Sequence, residues 1–197
     1  MNRLHRWYCK SGHWRGTVEN KILPWALQGI DLGESVLEVG PGPGVTTDWL
    51  RQRVDRMECL EIDPALAEAL RYRFQASGVS VLCGDATAMP YDDCRFTSVV
   101  CFTMLHHIST LDLQDRFLRE AYRVLRPGGI FAGVDSLPSI LMSIFHVRDT
   151  LTLVAPDTLA QRLTSAGFID AYVDVGSGRF RFSAKRSVDS TGGMSAH

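Results

Sequence analysis

Val36-Leu37-Glu38-Val39-Gly40-Pro41-Gly42-Pro43-Gly44, followed by Val45-Thr46-Thr47-Asp48, decides how the rest of this 197-residue chain is read. An apolar run carries one acidic residue, breaks into a turn with glycine at alternate positions, and meets residues that open a helix. Without a Cβ, such a turn lets backbone lie directly against a ligand. A strand–turn–helix start also aims N–H groups without helical partners at whatever binds there. The pattern is E-x-G-x-G-x-G. The dinucleotide fingerprint G-x-G-x-x-G does not fit: counted from Gly40 its third glycine falls on Val45, and counted from Gly42 on Thr47. A pyrophosphate favours a helix N-terminus unscreened by carboxylates, and Glu38 stands close to this one.

Outward from this stretch, short apolar runs alternate with amphipathic helical patterns, which reads as βαβ units around a parallel sheet. Strands are predicted at Ser35–Val39, Met57–Ile62, Val79–Cys83, Phe96–Phe102 and Ile130–Val134. Helices are predicted from about Thr47 to Arg53, from Asp63-Pro64 to Gly78, and from Asp112 to Leu125, the last stopped by Arg126-Pro127-Gly128-Gly129. Pro156-Asp157-Thr158 starts a further helix that ends at Gly167. Two final strands, Ala171–Val175 and Arg179–Ala184, flank Gly176-Ser177-Gly178 as a hairpin.

The length suits one domain, and 45% hydrophobic with 22% charged residues suits a globular chain. A net charge of −1 leaves no electrostatic footprint for nucleic acid. No apolar run approaches the roughly 20 residues of a spanning helix, and Met1 to Gly16 lacks the apolar centre of a signal peptide. Cys9, Cys59, Cys83, Cys94 and Cys101 make an odd set without C-x-x-C spacing, read as free thiols of a reducing cytoplasm. Integral membrane contact is not expected, and no metal-ligand spacing is found.

Three further segments complete a series. Leu60-Glu61-Ile62-Asp63 ends the second strand, where a carboxylate can accept both hydroxyls of a ribose. Asp63 competes for that role but has a local explanation as a helix cap before Pro64. Cys83-Gly84-Asp85-Ala86 ends the third strand; alone it would read as an Asx-turn. Phe96 to Phe102 and Thr103-Met104-Leu105-His106-His107 form the fourth strand and the loop after it.

In this order, together with Glu120 to Gly129, the segments cover roughly residues 33 to 135 and resemble the class I S-adenosylmethionine-dependent methyltransferases, of the small-molecule type. The resemblance implies a Rossmann-like α/β fold: a seven-stranded, mostly parallel sheet with a C-terminal antiparallel hairpin, in three α/β/α layers. It implies S-adenosyl-L-methionine as cofactor. Glu38 would face its ammonium, directly or through water, and Gly40, Pro41, Gly42 and Gly44 would lie against its methionine part. Glu61 would hold the ribose, Ile62 would cover an adenine face, Asp85 and the Ala86 N–H would meet the adenine rim, and Phe102 would join the wall. Residues 1–186 are expected to form the domain, with 1–32 as a helical lid and 187–197 as a disordered tail.

The methyl acceptor is expected to be a small molecule, a lipophilic one among the options, and the protein a monomer or homodimer. Trp7, Tyr8 and Trp14 are candidates for the acceptor pocket, as is the apolar stretch Leu137 to Leu153. No catalytic residue is assigned. His13, His106, His107, His146, Asp135 and Asp149 are the candidates should a base be needed. Leu-Glu-Val-Gly-Pro-Gly-Pro-Gly with Leu-Glu-Ile-Asp-Pro is also similar to the ribosomal RNA adenine dimethylases, but the Asn-x-Pro-aromatic loop of that family is replaced here by Phe102-Thr103-Met104-Leu105. The other readings are a non-catalytic cofactor-binding subunit, an NAD-dependent oxidoreductase and an RNA adenine methyltransferase.

Overall fold

The computed structural model describes residues 11–137 and 151–188. Trp7, Tyr8, residues 138–150 of the apolar stretch (His146 and Asp149 among them) and residues 189–197 of the expected tail lie outside the described residues.

The apolar runs become strands β1 (Ser35–Val39), β2 (Arg56–Glu61), β3 (Val79–Cys83), β4 (Phe96–Phe102), β5 (Leu125–Ser136), β6 (Ile169–Val175) and β7 (Arg179–Lys185). They form one seven-stranded sheet in the order β3-β2-β1-β4-β5-β7-β6. All five residues of β1 are buried, as a central strand covered on both faces requires. Pairing is parallel from β3 through β5. β7 pairs antiparallel with both β5 and β6, so it alone runs against the rest.

Helices cover both faces. On one side lie α1 (Gly12–Thr17), a π-helical stretch (Val18–Ile22), α2 (Leu23–Ala26), α3 (Val45–Leu50) and α4 (Pro64–Phe74). Val18, Leu23, Leu50, Leu70 and Phe74 from these elements pack with Val36, Cys59 and Val100 of the sheet. On the other side lie α5 (Leu111–Val124) and α6 (Pro156–Ser165), whose Phe117, Leu118, Leu159 and Leu163 pack with Val99, Phe131 and Phe182. Phe131 organises that core: its ring centroid lies 5.6 Å from Phe117, 5.6 Å from Phe168 and 5.1 Å from Phe182. Aromatic pairs at such distances contribute about 0.5–1.5 kcal/mol each beyond burial.

Local chemistry fixes the helix starts. Asp63 accepts from the N–H groups of Ala65 (3.0 Å) and Leu66 (3.2 Å), with Pro64 in the first turn of α4. Thr110 caps α5 through the Leu113 N–H at 3.2 Å. Several element ends shift by one to four residues from the sequence reading, and three starts differ for a physical reason. Helix α3 begins at Val45, because Gly44 itself occupies the cap position with φ +79°. β5 begins at Leu125, ahead of Arg126-Pro127-Gly128-Gly129, because Phe96 pairs with Leu125 and Ser98 with Ile130, leaving those four residues in a bulge. The Arg186 guanidinium closes this corner, donating to the carbonyls of Tyr122 (3.0 Å), Arg123 (2.9 Å) and Leu125 (2.8 Å). β6 begins at Ile169, with the ladder irregular before Tyr172, where Asp170 takes φ +53°. The Gly176 N–H closes the last hairpin on the Arg179 carbonyl at 2.8 Å.

Candidate functional site

The C-terminal ends of β1, β2, β3 and β4 open into one cavity of about 410 Å³. In an open α/β sheet this is where ligands bind, beside the point at which strand order reverses; here β1 stands between β2 and β4.

Gly40, Pro41, Gly42 and Pro43 form the first wall. Gly42 has φ +55°, and a Cβ built there would meet no protein atom within 4 Å. That position is a cradle a side chain would fill. Gly44 is not on the wall; its missing Cβ admits Leu70 and Phe74 of α4 beneath the turn. The Gly42 N–H is engaged as well, donating to a Glu61 carboxylate oxygen at 3.0 Å. The other Glu61 oxygen accepts from the Asp63 N–H at 3.0 Å. Glu61 therefore ties the end of β2 to the glycine turn while lining the cavity.

Beside it Ile62 lines the cavity with 67% of its surface exposed, an apolar face that no protein group covers. Asp85 and Ala86 make the third wall. One Asp85 oxygen accepts from the Thr87 N–H at 2.8 Å, so the Asx-type turn and the cavity position occur together. Phe102 and Thr103 close the end of β4. Thr103 has φ +52°, a left-handed conformation that a threonine holds only where its surroundings enforce it.

Glu38 stands behind the cavity wall, which leaves the indirect contact of the sequence reading and not the direct one. It is 1% exposed and does not line the cavity. Its carboxylate accepts from the hydroxyls of Thr46 and of Thr47, the latter at 2.6 Å, and the Cys59 thiol is 3.8 Å away. Burial pushes its pKa up to about 7, against the pull of these hydrogen bonds; the Glu61 charge adds to the rise. Thr46, in front of it, does line the cavity.

The remaining walls are apolar. Trp14, Val18 and Ile22 cross from the N-terminal helices, and Met104, Ile108 and Leu113 face them from beyond β4. Sequence reasoning named Trp14 but missed Val18 and Ile22, although their spacing of four residues is helical. Arg15 on α1 anchors this cover by donating to Asp48 of α3 at 2.8 Å. Arg73 of α4 also donates to Asp48, and to the Pro43 carbonyl at 2.6 Å.

Of the candidate bases among the described residues, His107 lines the cavity, and its ring centroid lies 4.2 Å from that of His106. His106 is buried and its Nδ1 is 2.5 Å from Asp135, which is fully buried at the end of β5. His13 is exposed and does not line the cavity. Among the described residues no cluster of His, Cys, Asp and Glu is arranged to hold a metal, and no helix is long and apolar enough to cross a membrane.

The fold and cavity thus define an α/β domain with a cleft at its strand ends and the carboxylates of Glu61 and Asp85 in the lining. Comparison with known proteins is specific about which one. A methyltransferase domain family model matches residues 37–133. A 2-methyl-6-phytyl-1,4-hydroquinone methyltransferase of Oryza sativa chloroplasts is 27% identical over 168 residues, covering 82% of this chain and 49% of that protein. A probable S-adenosylmethionine-dependent methyltransferase of Mycolicibacterium smegmatis is 33% identical over 145 residues, covering 69% of this chain and 52% of that protein. The chain thus spans about half the length of these relatives. The solved structure of an S-adenosylmethionine-dependent methyltransferase from Aquifex aeolicus superposes with a TM-score of 0.73 at 19% identity, covering 94% of this chain and 98% of that one. The chain belongs to the class I S-adenosylmethionine-dependent methyltransferases. Its cofactor is S-adenosylmethionine, and the residues present suit it: a carboxylate at the end of each of two neighbouring strands, a bare apolar Ile62 and a side-chain-free cradle at Gly42.

Proposed function

We propose that the protein transfers a methyl group from S-adenosylmethionine to a small lipophilic acceptor by in-line displacement. The observation that carries this reading is one cavity with two kinds of wall. Strand ends with Glu61 and Asp85 line one part, and Trp14, Val18, Ile22, Met104, Ile108 and Leu113 line the other. Bound there, the cofactor supplies a sulfonium-activated methyl with a neutral leaving group.

What remains for the protein is placement. Glu61 accepts from the ribose hydroxyls, Ile62 covers the adenine, Asp85 and the Ala86 N–H meet its edge, and Gly42 leaves room for the methionine part. The N-terminal helices act as a lid that keeps water from the acceptor, with Arg15 and Asp48 as its latch. If the acceptor is a hydroxyl, His107 takes its proton, being the histidine on the wall. The rice relative, whose name specifies a phytyl-substituted hydroquinone, supports an apolar acceptor.

The test is transfer of labelled methyl to a series of hydroquinones with alkyl substituents of increasing length. Transfer that improves with chain length supports the reading. Transfer confined to unsubstituted phenols, or to RNA fragments offered in parallel, contradicts it.

A further inference from the structure

Glu38 is a buried carboxylate whose partners are hydroxyls and a thiol: Thr46 and Thr47 on α3 and Cys59 on β2. The charged groups around it offer no compensation. Glu61 lies on the adjoining strand β2 and raises the Glu38 pKa further. Cys101, on the other adjoining strand β4, has its own thiol pushed up by burial and by the charges of Asp135 and Glu38. The nearby acid on α3, Asp48, is bound to Arg15, Arg73 and Arg51. Among the described residues, no cation reaches Glu38.

Thr46 is the link to the cavity, since it lines the wall and its hydroxyl is held by Glu38. A hydroxyl has one proton and two lone pairs. While Glu38 is ionised it is an acceptor only, so the Thr46 proton is directed inward and the oxygen turns lone pairs to the cavity. Once Glu38 is protonated it can donate, and the Thr46 proton can swing outward. The first arrangement attracts a cation and the second repels it.

We infer that Thr46 presents its oxygen to the ammonium end of the cofactor and that Glu38 is the positioning residue that fixes the direction of the Thr46 hydroxyl. This rests on S-adenosylmethionine being the cofactor. It makes affinity for the cofactor fall as the solution is acidified, by way of a residue that never touches it. A pKa near 7 places that loss in the neutral range.

The test is calorimetric titration of the full chain with S-adenosylhomocysteine at pH 6 and pH 8, for the wild type and for Glu38→Gln, Thr46→Val and Thr46→Ser, with thermal melts of each protein alone. Wild-type binding should weaken roughly tenfold between pH 8 and pH 6. Thr46→Val should lose that dependence although Glu38 is intact, and Thr46→Ser should keep it. Glu38→Gln should bind weakly at both pH values. At pH 7 in buffers of different ionisation enthalpy, the wild type should release more protons on binding than Glu38→Gln, a readout that folding alone does not move. The inference is overturned if Thr46→Val retains the wild-type pH dependence, or if the wild type and Glu38→Gln differ by the same factor at both pH values. Absence of wild-type binding at both pH values overturns the cofactor site and this inference with it.

Discussion

His106 Nδ1 lies 2.5 Å from one carboxylate oxygen of Asp135, and the backbone N–H of His106 donates to the other at 3.1 Å. The pair locks the turn after β4 to the end of β5, and both side chains are buried. Replacing Asp135 with Ala strands the imidazole and the N–H without this acceptor, which should cost about 2–4 kcal/mol. Urea unfolding followed by circular dichroism checks this: the midpoint should fall with little change in slope. An unchanged midpoint would mean that the pair contributes nothing to the fold.

Glu61 holds the Gly42 and Asp63 N–H groups and lines the cavity. Glu61→Ala should weaken binding of S-adenosylhomocysteine by about 1–3 kcal/mol through lost charge-assisted hydrogen bonds. Calorimetry gives the dissociation constant directly. A value equal to the wild type would show that the ribose does not lie here.

Gly42→Val should be the more damaging change. At φ +55° a side chain costs about 1–2 kcal/mol, and a β-branched one would extend into space that no protein atom fills. Loss of cofactor binding should exceed that of Gly42→Ala, with the melting temperatures of the two variants close to each other. Equal binding by the two would remove Gly42 from the contact surface.

The fold was legible because its signals are local and periodic. Buried β1 and β4 read as apolar runs, and Asp63-Pro64 announced α4 by its cap. The turn Arg126-Pro127-Gly128-Gly129 misled because proline and glycine mark a break in the chain direction without saying whether pairing resumes on either side. At the site, the strand-end carboxylates could be located by position. What could not be read is which way a carboxylate turns. Glu38 faces inward because Thr46 and Thr47, eight and nine residues on, offer it hydroxyls across the strand–helix turn. The Arg15–Asp48–Arg73 cluster joins segments far apart in sequence, and no local pattern encodes it.

The proton on Glu38 also affects stability. Its ordinary pKa of 4.5 rises to about 7 in the fold, so the native state binds the proton more tightly. The stabilisation from that proton is complete below pH 4.5 and is lost as pH rises through 7, on the order of 3 kcal/mol in all. Glu38→Gln, which is neutral throughout, should therefore raise the melting temperature of the ligand-free protein at pH 8 and leave it nearly unchanged at pH 5. A variant less stable than the wild type at pH 8 would show that the carboxylate is better accommodated than its burial implies.

Asp48 accepts from Arg15 and Arg73, and so fastens the N-terminal helices to the glycine turn. Both arginines are more than a third exposed, so Asp48→Asn should cost no more than about 1 kcal/mol overall. Its effect should be local: faster amide exchange over residues 12–26, with β1 and β4 unchanged. Uniform exchange rates across both regions would argue against a separate latch.

The most direct measurement is a titration of the purified chain, in parallel, with S-adenosylmethionine, S-adenosylhomocysteine and NAD. The cavity walls described above predict saturable one-to-one binding of the first two, abolished by Gly42→Val, and no binding of NAD. Binding of NAD in place of the sulfonium compound would contradict the account at its root.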